Sequence, residues 1–216
     1  MHGDCGNLMG DHNPIIVLML KAPRPGTVKT RLARDLGAVP AAKIYRRLVE
    51  RQVSQLPEGW PVVIHYSPAD AEQEMRNWLG NGFRFIPQCD GDLGTRLIRA
   101  ARHGFDHGAE RLIFLGGDCP AITTGLLQEC ASDLNAHDVV IGPADDGGYY
   151  LIGVTQLEPH LFAEIDWSTE RVLEQTLSRL REKNLSYCLL PVLEDVDNVK
   201  AWVRAARLLR QSSPTA

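Results

Sequence analysis

Residues 15–20 read IIVLML, and residues 21–32, which follow without a break, read KAPRPGTVKTRL. The apolar run is rich in β-branched residues and is bounded by Pro14 before it and by Lys21, Ala22 and Pro23 after it. A continuous apolar run of this length suits a strand covered on both faces, whereas a strand with one wet face would alternate. The pair therefore predicts a first, central strand whose carboxyl end opens into a basic loop.

Four further strands follow from the same reasoning: PVVIHYS at 61–67, FRFIPQ at 83–88, RLIFLGGD at 111–118 and DVVIGP at 138–143. Helical patterns over about 39–55, 69–79, 93–103 and 123–134 separate them. Such alternation predicts an α/β fold, a parallel sheet with helices on both faces. The alternation breaks after the fifth strand, where only Asp146, Gly147 and Gly148 separate the apolar runs of GPAD and YYLIGV. That spacing is too short for a helical crossover and predicts a hairpin or a sharply bent strand pair, so the sheet is mixed. A helix over about 169–183, a strand SYCLLPVL and a last helix over about 199–209 complete it.

The chain has 216 residues, 44% hydrophobic and 23% charged, with 23 Lys and Arg against 27 Asp and Glu. These proportions favour one compact domain, expected over residues 14–210, with a loose leader at 1–13 and a frayed tail at 211–216. The formal charge of -4 removes the broad attraction on which nonspecific binding of nucleic acid or anionic membrane relies, so neither is an expected partner. Five cysteines, at 5, 89, 119, 130 and 188, are odd in number and lack CxxC spacing, which argues against a disulfide framework or zinc ribbon and for a reducing cytoplasm. Residues 15–20 fall far short of the roughly 20 needed to span a bilayer, and no basic stretch precedes them. Oligomeric state is not legible.

The loop at 21–32 holds four cations, Lys21, Arg24, Lys29 and Arg31, around Pro25 and Gly26. In an open α/β sheet ligands bind beyond the carboxyl ends of strands. Glycine backbone beside Lys and Arg offers phosphate oxygens both amide donors and charge. Lys21, Lys29 and Arg31 lead as candidates, with Pro25 and Gly26 in the same nucleotide-binding set. This is no Walker A loop, because Val28 stands where that motif needs glycine, and there is no GxGxxG. The bland alternative is a solvated loop kinked by its prolines.

At the end of the fourth strand, LIFLGGDCP places Asp118 after two glycines. A carboxylate there can hold Mg²⁺ through one oxygen while a diphosphate and waters fill the other positions. Capping of the next helix falls better to Thr123 or Thr124. In GPADDGGYYLIG, Asp-Gly between strands is first of all a hairpin signal. Two acids and two glycines exceed what a turn needs, and a second carboxylate would complete a metal site begun by Asp118. Neighbours on an extended chain point to opposite sides, so one of the pair reaches the metal, with Asp146 preferred to Asp145.

QCDGDLGTRL, at 88–97, opens a helix whose free amides suit phosphate or base oxygens, with Gly91, Asp92, Gly94 and Arg96 in reach. The alternative makes Asp92 the helix N-cap and Gly91 its turn. His103 and His107 have helical i, i+4 spacing, but Gly104 and Gly108 predict that the helix is ending there, against a metal pair. Asp195, Asp197 and Asn198 in LEDVDN read as the entry to the last helix, with a ligand role secondary. Trp167 is either a packing aromatic or the wall of an acceptor pocket.

In this order, KAPRPGTVKTRL, QCDGDLGTRL, LGGDCP, GPADDGGYYLIG and DVDN resemble the bacterial glycosyltransferase-A-like transferases described as radical-SAM/selenodomain-associated, over about residues 21–198. The resemblance implies the nucleotide-diphospho-sugar transferase fold, a single Rossmann-like GT-A domain with a mixed, mostly parallel sheet, and Mg or Mn as cofactor. It implies that Lys21, Lys29 and Arg31 hold nucleotide phosphates and that Gly91, Asp92, Gly94 and Arg96 lie near the base. Lys29, Arg31 and Asp118 would be catalytic, with Asp118 on the metal and Asp146 opposite it. Metal-dependent glycosyltransferases of this fold usually carry Asp-x-Asp at the fourth strand, whereas Cys119 and Pro120 follow Asp118 here. The leading expectation is transfer from a nucleotide diphosphate sugar to a small-molecule acceptor. The alternatives are nucleotidyl transfer from a nucleoside triphosphate, with pyrophosphate released, and nucleotide binding without turnover.

Overall fold

The computed structural model describes residues 13–211. The expected leader and tail lie almost wholly outside these residues. Along the chain run β1 (Ile15–Lys21), α1 (Thr30–Leu36), α2 (Ala38–Val53), β2 (Val62–Ser67), α3 (Glu72–Leu79), β3 (Arg84–Pro87) and α4 (Leu93–Asp106). Then come β4 (Leu112–Leu115), α5 (Thr124–Asp133), β5 (Val139–Pro143), β6 (Tyr149–Val154), α6 (Val172–Glu182), β7 (Tyr187–Leu189) and α7 (Val199–Gln211).

The strands form one sheet in the order β3-β2-β1-β4-β6-β5-β7, and β1 is interior as its unbroken apolar run requires. Ile16, Leu18 and Leu20 pack into one cluster with Tyr45 and Val49 of α2 and Leu127 and Cys130 of α5. Val17 points the other way, into a cluster with Leu97, Ala100 and Ala101 of α4 and Leu180 of α6. Two faces, each covered by helices, give the α/β layering expected. A third cluster, on Leu32, Ile44, Leu48 and Ala205, holds α1 and α7 to the outer side of α2.

Strand direction decides where chemistry can occur. β1 pairs in parallel with β2 and β4, while β6 runs antiparallel between β4 and β5. The carboxyl ends of β1, β4 and β5 and the amino end of β6 therefore share one edge. The hairpin expected at 146–148 is present, with a register shift at Gly142/Pro143.

Two expectations need correction. The basic loop was expected over 21–32, but residues 30–32 open helix α1, so the loop ends at Lys29. Gly104 does not mark a helix end: α4 runs on to Asp106, and a Cβ at Gly104 would lie 2.7 Å from Leu112 Cδ2. That glycine lets the helix close on β4. No helix among the described residues is long and apolar enough to cross a membrane.

Candidate active site

A cavity of about 580 Å³ opens at the shared edge. The first loop supplies Lys21, Lys29 and Arg31 to its wall, the end of β4 supplies Gly116, Gly117 and Asp118, and the hairpin supplies Asp146 and Gly148. The segment before α7 adds Asp195 and Asp197.

Lys29 is the hub. It stands at the N-cap of α1 in the left-handed region, φ 47° and ψ 47°, a conformation that β-carbon sterics disfavour and that persists where neighbours hold it. Its side chain is 4% exposed, with Nζ 2.9 Å from Asp118 Oδ1 and 3.1 Å from Asp197 Oδ1. Burial alone would lower the Lys29 pKa, but Asp118 and then Asp197 outweigh it, and the net shift is upward. The ammonium stays charged. Arg31 reaches the other oxygen of Asp197 at 2.9 Å from the exposed side.

Backbone contacts fix Asp118. A Cβ at Gly117 would lie 2.8 Å from Val49 Cγ2 and 3.0 Å from Leu20 Cδ2, so only glycine lets the end of β4 pass this close to α2. Gln52 donates its side-chain amide to Gly116 O at 2.8 Å, and the Val196 amide donates to Asp118 O at 3.1 Å. Capping of α5 falls to Thr123, whose hydroxyl accepts from the Leu126 amide, so Asp118 is left to the cavity.

The hairpin glycines have a structural explanation. Gly147 has φ +86°, and a Cβ there would lie 2.2 Å from Glu170 O. Asp146 closes the turn by accepting from the Gly148 amide at 2.9 Å, while its side chain also lines the cavity. Asp145 faces an adjoining recess of about 250 Å³ that it shares with Asp146, Glu194, Asp195, Asp197 and Arg31.

Asp195, read in the sequence as part of the entry to the last helix, lines the cavity. Asn198 is the residue that opens α7, its side-chain oxygen accepting from the Ala201 amide at 3.0 Å, and this frees both aspartates of the motif for the cavity. Asp195 Oδ1 is buried without a hydrogen-bond partner. Burial first, and then the charges of Asp118, Asp146 and Asp197, push its carboxyl up to about 7, with Lys29 opposing. The signal available in sequence was the acid count in LEDVDN, more than one helix cap requires.

Six of the residues expected at the nucleotide do not line the cavity: Pro25, Gly26, Gly91, Asp92, Gly94 and Arg96. Asp92 is the N-cap of α4, accepting from the Thr95 amide at 2.8 Å. Gly94 is needed for packing, since a Cβ would lie 2.1 Å from Phe162 O and 2.8 Å from Trp167 Nε1. Arg96 reaches Gln88, whose amide ties the carbonyls of Leu20 and His65. What α4 gives the wall is Leu93 and Leu97. The rings of His103 and His107 lie 4.1 Å apart, and among the described residues no three His, Cys, Asp or Glu side chains converge as a ready metal cage.

A family profile described as an uncharacterized protein conserved in bacteria, DUF2064, matches residues 51–169, more than half of the chain. The chain belongs to the DUF2064 family. No curated protein matches this DUF2064 sequence. Among solved structures, a provisionally named nucleotide-diphospho-sugar transferase from Desulfovibrio desulfuricans G20 is 32% identical, covers 91% of this chain and 97% of its own, and superposes with a TM-score of 0.81. Two others share the fold alone. A 4-diphosphocytidyl-2C-methyl-D-erythritol synthase from Anaerococcus prevotii DSM 20548 is 11% identical over 92% of this chain and 99% of its own, at a TM-score of 0.58. A CMP:2-keto-3-deoxy-manno-octonic acid synthetase bound to CTP is 15% identical over 93% and 100%, at 0.55. The DUF2064 chain thus has the nucleotide-diphospho-sugar transferase fold, as the five sequence motifs imply.

Proposed function

We propose that this DUF2064 protein is a cytoplasmic, metal-dependent transferase with a nucleotide-activated donor, and that it moves a glycosyl group from a nucleotide diphosphate sugar to a small-molecule acceptor. One observation carries the reading. Lys21, Lys29 and Arg31 gather with Asp118, Asp146, Asp195 and Asp197 in the wall of a single cavity at the carboxyl edge of the sheet, where Lys29 and Arg31 pair directly with the acids. The 32% identity to a chain named for nucleotide-diphospho-sugar transfer supports the donor class. The motif set supports the radical-SAM/selenodomain-associated branch.

The acids fit a hard divalent cation, Mg²⁺ or Mn²⁺. Asp195 Oδ1 is buried without a partner, and burial first and then the neighbouring acids push its carboxyl up to about 7, a state that a cation would relieve. Asp118 and Asp195 are the residues we assign to the ion, with Asp146 close enough for its charge to act on Asp195. Mg²⁺ commonly takes one or two carboxylates and completes its shell with phosphate oxygens and water, which agrees with the lack of a full protein cage. When bound, the ion supplies charge stabilisation to the departing phosphate. The chain's own part is to orient the diphosphate with Lys21 and Arg31 and to keep the charged Lys29 ammonium where negative charge grows on the leaving nucleotide.

The test is a nucleotide screen by thermal shift with and without Mg²⁺, followed by incubation with nucleotide sugars. A ligand that binds only the native state raises its melting temperature. Slow release of nucleoside diphosphate is expected even without the true acceptor, because water can enter an unfilled acceptor site. Nucleotidyl transfer is the second reading. It draws on Cys119 and Pro120 following Asp118 in place of Asp-x-Asp, and on three cations, Lys21, Lys29 and Arg31, in one cavity wall. Pyrophosphate release from a triphosphate, with nucleotide sugars inert, would select it.

A further inference from the structure

Part of the cavity wall is apolar. Its floor on the α4 and α6 face of the sheet is Met19 of β1, Phe114 of β4 and Ile152 of β6, with Phe114 and Ile152 opposite one another in register. Two separate roofs cover it. Leu93 and Leu97 of α4 come from the β1 side, and Trp167 and Val172 come from the segment that follows β6. Tyr149, at the start of β6, meets Trp167 edge-on with ring centroids 6.3 Å apart.

We propose that the compartment under Trp167 is the acceptor subsite and that it takes an acceptor with a planar apolar group, an aromatic or similarly flat moiety bearing a hydroxyl. This rests on the transferase reading of the same cavity. A polyol or sugar acceptor would need polar partners on this floor, and Met19, Phe114 and Ile152 offer none. The aromatic pair of Trp167 and Tyr149 offers a flat ring edge-to-face or stacked contact.

The position of Trp167 is heavily specified. Ser168 directly after it stands at φ 66°, a left-handed backbone that turns the chain, and Glu164 before it at φ 54°. Gln175 grips Asp166 twice, accepting from its amide at 2.8 Å and donating to its carboxylate at 2.7 Å. Arg171 holds the same carboxylate at 2.8 Å. Gly94 permits α4 to abut the indole, whose Nε1 is buried without a hydrogen-bond partner. A roof held this firmly beside an apolar floor is what a substrate-positioning wall needs.

The measurement is ligand-observed NMR on the full chain, without nucleotide, using benzyl alcohol and glycerol as probes. Benzyl alcohol is expected to bind, glycerol not. Trp167→Ala should weaken benzyl alcohol binding by about tenfold or more, as loss of a large apolar contact surface implies, and Trp167→Phe should retain it. Melting temperatures of both variants without any ligand show whether they are folded, which keeps loss of probe binding apart from loss of structure and keeps the two readings separate. Equal binding of glycerol, or benzyl alcohol binding indifferent to Trp167→Ala, overturns the subsite. Failure of wild-type protein to bind any nucleotide would count against the transferase reading, while the probe comparison still decides the compartment.

Discussion

Lys29 and Asp118, the former on the loop after β1 and the latter at the tip of β4, form an ion pair at 2.9 Å whose lysine side is 4% exposed. The contact joins the cation we assign to phosphate to the acid at the end of β4. Of the charges around Lys29, Asp118 does most to keep its buried ammonium protonated.

Asp118→Asn should abolish metal-dependent nucleotide binding and leave the protein folded. The amide keeps the shape but not the charge that a hard cation requires. Isothermal calorimetry of Mg²⁺-nucleotide binding checks it, and an unchanged affinity in a folded variant would remove Asp118 from the metal.

Lys29→Met keeps most of the apolar stem and removes the charge. Affinity for nucleoside di- and triphosphates should fall about ten- to a hundredfold, and affinity for the nucleoside should hardly change, since a charge-assisted bond to phosphate is worth roughly 1.5–3 kcal/mol. Stability should drop by only about 1–2 kcal/mol, because Asp118 and Asp197 are 45% and 35% exposed and can turn to water. A loss equal for nucleoside and nucleotide would point to a misfolded loop.

Asp195 should make the free protein less stable as pH rises. Its folded pKa is about 7 against an ordinary value of 3.8, so between these the folded state keeps a proton that the unfolded state has lost. Stability from this group therefore declines across that window and stays low above it. Asp195→Asn should flatten the decline in urea titrations run from pH 4 to 8, while weakening metal-dependent nucleotide binding. An identical pH slope in the variant would contradict the assignment.

His65 should act at the acid end. It is 4% exposed on β2, and burial first, then His103 and Arg84, lower its pKa to about 4 from 6.5. The unfolded chain takes up the proton first, so stability falls as pH drops from about 6.5 towards 4, by as much as ~3 kcal/mol. His65→Gln should remove that part of the acid sensitivity, read from the same titrations.

Gly147→Ala meets two obstacles at once, a φ of +86° and a Cβ 2.2 Å from Glu170 O. A destabilisation of about 1–3 kcal/mol is expected, with the β5–β6 turn displaced from the segment that carries Trp167. Denaturant melts of the single variant suffice to check it.

The central strand and the hairpin were legible because each is written locally, in the unbroken run at 15–20 and in the three-residue gap at 146–148. Helix α1 was hidden because Pro23, Pro25 and Gly26 mark a loop and Lys29 enters the helix from a left-handed conformation that no pattern announces. Gly94 and Gly104 misled for one reason. They answer to Phe162, Trp167 and Leu112 across the fold, whereas sequence reading hears only their neighbours. Asp195 was read as part of a helix entry because Asp118 and Asp146 are brought beside it only by tertiary structure.

The bond from Lys29 to Asp197 spans 168 positions of the chain. Closing so long a loop is entropically late, because intervening strands must pair before its ends are held close. During folding or synthesis, the seven strands can therefore be in place while the cavity still lacks one wall. Nucleotide recognition then reports completion of the whole molecule, and a nucleotide should slow its unfolding most at the step where the segment before α7 lets go.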